Sequence, residues 1–154
     1  LELVRDTTDP EKAEVACKLS LLVPSMIELD DLPIAVVDKA LQDGNTPSYL
    51  LPWFWTCKSL YSLRGEMHDS AVNFVEKSQS LAPNDHLRAL NLSILALAEQ
   101  GLNRPHEASQ NLSRATELVD ELSQMPQHQG HHDLVIAQVL LREAEATIKE
   151  NSGS

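Results

Sequence analysis

Three histidines and an aspartate fall close together at His128, His131, His132 and Asp133, and neutral imidazoles with a carboxylate are the donors that Zn²⁺ or Ni²⁺ takes. Their spacing argues against a catalytic metal site. A helical pair needs two His three or four residues apart on a rigid element, with a third ligand elsewhere, whereas these lie in the polar turn Met125 to Asp133, which contains Pro126 and Gly130. The expectation is a solvated turn in which His132 or Asp133 caps the next helix, with no metal and no cofactor; His128, His131 and His132 are the residues that would bind if an ion did. His68, His86 and His106 fall at turns or helix starts, where an imidazole in solvent needs no further role. Cys17 and Cys57 each sit in an apolar helical pattern. They read as small buried hydrophobes in a reducing, cytoplasmic compartment rather than as a disulfide. Cys57 has no His near it in sequence and an apolar setting that would raise its pKa, so a thiol nucleophile lacks its parts. The carboxylates Glu28, Asp30 and Asp31, or Glu143 and Glu145, could be paired for acid/base work, but the plainer reading is a solvated acidic face. No residue is expected to be catalytic.

The elements that position these groups read as helices. A chain of 154 residues, 42% of them hydrophobic, can bury one sizeable core and needs only one domain. Aromatic residues make up only 4%, and the Gly and Pro fall mostly between apolar runs, which favours aliphatic helix packing over a sheet. A net charge of −11 would repel phosphate backbones and anionic lipid, so neither nucleic acid nor membrane is an expected partner. No apolar run approaches a membrane span, and no signal-peptide pattern opens the sequence, which begins at Leu1 and reads as a piece of something longer. Asp9-Pro10-Glu11 marks a helix start whose pattern runs through Ala13, Ala16, Cys17, Leu21 and Leu22 to Pro24. A second helix starts near Asp31 or Pro33 and ends at Gly44 in a left-handed conformation, giving a first hairpin over about 9–44. A second hairpin spans about 48–82 and a third about 85–124. A half-polar helix over about 133–149 then seals the last apolar face, and Asn151 to Ser154 is read as a frayed end.

The two later hairpins are copies of one pattern. Ala71 and Ala108 hold the same place, 108 − 71 = 37 residues apart, close to the roughly 34 of a tetratricopeptide repeat. Trp55 stands at that family's leading aromatic place, Ala71 and Ala108 at the small place of the second helix, Ser78 and Ala115 at the later small place, and Pro83 at the closing proline. Lys58, Ser59 and Ser62 depart from its Leu, Gly and Tyr. The chain thus resembles a tetratricopeptide array, which implies an all-α, right-handed solenoid of antiparallel helical hairpins, about seven helices in all with a C-terminal capping helix. Three stretches are similar to the C-terminal helical tails of planctomycete-type bacterial serine/threonine protein kinases: Thr7 to Pro24, Trp53 to Ser78, and Leu141-Arg142-Glu143-Ala144-Glu145-Ala146. No kinase motif is present, neither Gly-rich loop, His-Arg-Asp nor Asp-Phe-Gly.

The resemblance therefore implies a non-catalytic interaction or regulatory module of a larger signalling protein. In such arrays the first helix of each pair lines a concave groove, which here places Trp53, Thr56, Leu60, Leu63 and Arg64 in one unit and Leu90, Ser93, Leu97 and Gln100 in the next. Thr56 and Leu60 replace the Lys and Asn of carboxylate-clamping arrays. The expected occupant is an apolar helix or extended protein segment, possibly from the same parent chain. The plainer alternative is that Trp53 and Leu60 belong to the core, and that the chain serves as an intramolecular, structural or dimerisation element. The distant rival is a small helical metal-dependent enzyme using the His-rich turn.

Overall fold

A computed structural model describes residues 6–22, 28–128 and 130–152. Those residues form seven α-helices and no strand: α1 Pro10–Ser20, α2 Ile34–Gln42, α3 Leu51–Arg64, α4 His68–Ser80, α5 Asp85–Gly101, α6 Pro105–Gln124 and α7 His132–Ser152. Short 3₁₀ turns at Leu29–Asp31 and Pro126–His128 precede α2 and α7.

The helix starts follow from local chemistry. Asp9 accepts from the amides of Glu11 at 3.1 Å and Lys12 at 3.4 Å, and Pro10 fills the first helical position, where its missing N–H costs nothing. Asn84 caps α5 by accepting from Leu87 N–H at 3.0 Å. Pro105 opens α6 in the same way as Pro10. Two expected stops differ. The stop at Pro24 lies outside the described residues, and α1 already ends at Ser20. Gly44 stands just past the C-cap, as expected, but without left-handed backbone: the C-cap Asp43 is extended, and its carboxylate accepts from Asn45 N–H at 3.0 Å. An Asx turn thus closes this helix where a left-handed glycine was expected.

The turns within the later two pairs are superimposable in hydrogen bonding. After α3, Gly65 N–H donates to Tyr61 O (3.0 Å), Glu66 N–H to Leu63 O (3.1 Å) and Met67 N–H to Ser62 O (2.9 Å). After α5, Leu102 donates to Ala98 O (3.0 Å), Asn103 to Gln100 O (3.0 Å) and Arg104 to Glu99 O (2.9 Å). Each bond recurs 103 − 66 = 37 residues on, and Glu66 and Asn103 both have left-handed backbone, φ 58° and 57°. Asn tolerates that region, as the sequence suggested; Glu66 adopts it without the preference.

These tight turns pack α3 on α4 and α5 on α6, while α4 and α3 both reach α5. Small residues set the approach. Ala71, Ser78, Ala108 and Ala115 are fully buried, and Ser59 donates to Ala71 O at 2.7 Å across the α3–α4 contact. Gly101 allows a similar approach, since a Cβ there would stand 2.4 Å from the His68 ring and force that side chain to shift. The core is continuous from α1 to α7 and centres on α5, where Leu87, Leu90, Ile94, Ala96 and Ala98 are all inaccessible. A helix buried on nearly every side is an interior helix, so its neighbours carry the polar surface.

Candidate functional site

The residues expected to line an open groove are mostly covered. Helix α7 packs more extensively on α5 than on α6. It lies along the face that carries Leu90, Ser93 and Leu97, which are 0%, 0% and 8% exposed. Ser93 Oγ donates within α5 to Ala89 O (2.9 Å) and approaches Ala137 O of α7 at 3.4 Å. Leu60 is buried and Leu63 nearly so. Thr56 belongs to the interior between α3, α4 and α5: its hydroxyl sits 3.0 Å from Ser78 Oγ and 2.8 Å from Asn91 Oδ1, and Asn91 in turn donates to Ser78 Oγ at 3.0 Å. The far end stays open, as a cleft of about 330 Å³ lined in part by Leu63, Arg64, Leu97, Gln100, Glu143 and Thr147, and Trp53 at the other end is half-buried.

Polar contacts fasten α7 at both ends of this face. Trp53 Nε1 donates to Asp133 Oδ2 at 3.2 Å, at the head of α7. Arg64 holds Glu143 with both guanidinium nitrogens, at 2.6 and 2.8 Å, while its Nε and Nη2 donate to the carbonyls of Leu21 and Leu22 at 2.8 and 3.1 Å. One planar fork therefore joins the end of α1, the end of α3 and the middle of α7. Glu143, read from sequence as part of a solvated acidic face, is half-buried in this pair.

The second polar centre was not legible as such. Lys18 is completely buried, its ammonium against Asp133 Oδ1 and 2.6 Å from Glu14 Oε1. Burial opposes its charge, but Glu14 and Asp133 outweigh that and raise its pKa. Burial also works against ionised Asp133, yet Lys18, His132 and the Trp53 N–H hold its pKa below the ordinary value. Glu14 has only the ion pair with Lys18, and burial pushes its pKa up to about 7. One ammonium thus serves two carboxylates, and the better hydrogen-bonded one keeps its charge. Glu14 also borders a cleft of about 260 Å³ with Val15, Leu50, Trp53, Phe54 and His132. The visible signal was the i,i+4 pair Glu14–Lys18 on the same stripe as Ala13, Cys17 and Leu21.

The rings of the His-rich turn pack against one another, and His86 joins them from the start of α5. The His86 ring stacks on His131 at 4.0 Å with an interplanar angle of 2°, and meets His128 edge-on at 4.7 Å; His131 and His132 lie 5.0 Å apart. His86, expected in solvent, is only 8% exposed. Burial and the neighbouring His131 and His128 lower its pKa, and burial lowers that of His132 against the pull of Asp133. His68 is half-buried against Gly101, and His106 is exposed. Asp133 faces Lys18 and Trp53 rather than serving only as a cap. Cys17 and Cys57 are buried free thiols. Hydrogen bonding with Cys17 in which Cys57 keeps its proton, together with burial, pushes the Cys57 pKa well up and favours the thiol over the thiolate.

No described helix is long and apolar enough to cross a membrane. No family model, curated protein or solved structure matches the chain.

Proposed function

We propose that this chain is a non-catalytic protein-interaction and regulatory module, a right-handed tetratricopeptide-type array whose concave face accepts a helical segment, and that its own α7 occupies that face in the resting state. The supporting observation is the placement of α7 over Leu90, Ser93 and Leu97, fastened by Arg64–Glu143 and Trp53–Asp133. The 37-residue recurrence of the turn hydrogen bonds supports the repeat reading. This joins the interaction and intramolecular alternatives in one mechanism. A partner segment enters at the open cleft beside Gln100 and competes with α7. The resemblance to bacterial kinase tails makes a larger cytoplasmic signalling protein the proposed parent, with the chemistry upstream.

The test uses three baits: wild type, Glu143→Ala to loosen α7, and Gln100→Trp to fill the cleft, each checked for folding by circular dichroism. Capture of one cellular protein that strengthens with Glu143→Ala and weakens with Gln100→Trp supports the mechanism. Capture that is equal across all baits, or absent from all of them, removes it.

A further inference from the structure

Four side chains from two helix heads converge where the sequence suggested only a polar turn. His131, His132 and Asp133 each offer a ligand atom, and those atoms lie within 4.8 Å of one another. His86 arrives from the head of α5, its ring 4.0 Å from that of His131. His86 Nε2 and His131 Nδ1 are buried with no hydrogen-bond partner among the described residues. Buried polar atoms are nearly always satisfied, so two orphan imidazole nitrogens side by side call for an occupant. We propose that His86, His131, His132 and Asp133 form a binding site for a late first-row divalent metal ion, with zinc the best fit, tying the head of α7 to the head of α5.

The donor chemistry selects the ion. Imidazoles with one carboxylate suit zinc and its neighbours, while calcium and magnesium require oxygen ligands. Zinc–nitrogen bonds of about 2.0–2.1 Å put tetrahedral ligands about 3.4 Å apart, so the donors close in by side-chain rotation. Asp133 accepts from Lys18 and Trp53 and still has lone pairs free, since a carboxylate offers about four acceptor positions. The Lys18 ammonium is the unfavourable neighbour. Glu14, 2.6 Å from that ammonium, shares it with Asp133.

The experiment titrates tag-free, chelator-dialysed protein with Co²⁺, reading visible absorption, then displaces it with Zn²⁺ and follows thermal unfolding. The expected result is one ion per chain with the intense bands of a tetrahedral site, a rise in unfolding temperature with Zn²⁺, and roughly tenfold or weaker affinity in His86→Ala and His131→Ala. His106→Ala, which alters an exposed ring on α6, leaves affinity unchanged. Weak octahedral Co²⁺ spectra and no thermal shift in the wild type overturn the site, whether or not a variant folds. Wild-type affinity in folded His86→Ala overturns it equally.

Discussion

A lysine with no exposed surface persists only where its charge is shared out, and Lys18 shares its charge between Asp133 and Glu14. Removing it leaves two buried carboxylates without a cation. Lys18→Met should therefore cost about 3–5 kcal/mol in urea unfolding, and adding Asp133→Asn should recover part of the loss, because the two sites are coupled. Glu14 supplies a pH signature. Its folded pKa of about 7 lies above the ordinary 4.5, so its contribution to stability is complete below pH 4.5 and is lost as pH rises through 7. His86 and His132 act in the opposite sense. Their folded pKa values lie below 6.5, so their contribution is present above 6.5 and is lost as pH falls. Unfolding midpoints measured from pH 4 to 9 should pass through a maximum for the wild type. Glu14→Gln should hold its stability across the alkaline side, and an unchanged profile would contradict the assignment.

At the level of elements, the helix starts were readable because caps and prolines act locally: Asp9-Pro10, Asn84 and Pro105 each stand where a helix begins. Turn geometry was readable where a residue type forces it and hidden where it does not. Asn103 announces left-handed backbone, whereas Glu66 and Ala82 adopt it, φ 58° and 52°, with no such preference. Ala82→Gly should therefore gain up to about 1 kcal/mol, strain relief exceeding the added chain entropy. Asn103→Val, which brings a β-branched side chain to that region, should lose about 1–2 kcal/mol. Chemical denaturation of both variants decides the matter. The α7 fastening is an element-scale feature as well. Glu143→Ala leaves the α7 backbone bonds intact but frees the Arg64 fork, so hydrogen exchange in α7 should speed up while α4 is unaffected.

For the molecule as a whole, α7 covers part of the α5 surface. This helix, expected as an end cap, buries Leu134, Ile136, Ala137, Leu140, Leu141, Ala144 and Ile148. What differs is the surface it seals, which includes residues expected to receive a partner. Truncation before His132 should expose the Leu90–Leu97 face, increase binding of a hydrophobic dye and broaden the unfolding transition. Unaltered cooperativity would mean that α7 is an appendage rather than part of the core. Leu140→Ala, a milder perturbation of the same contact, should cost about 2–5 kcal/mol.

Composition and periodicity by themselves determined the helical class, the positions of the later hairpins, the small residues between paired helices and the buried thiols, because propensity, capping and amphipathic spacing act within a few residues along the chain. Only the tertiary structure decided which polar residues meet. Thr56 with Asn91, Lys18 with Asp133, Arg64 with Glu143 and His86 with His131 are each far apart in sequence. Periodicity assigns a residue to a face, but the partner across that face depends on how the helices cross, and that is fixed by packing of the whole core.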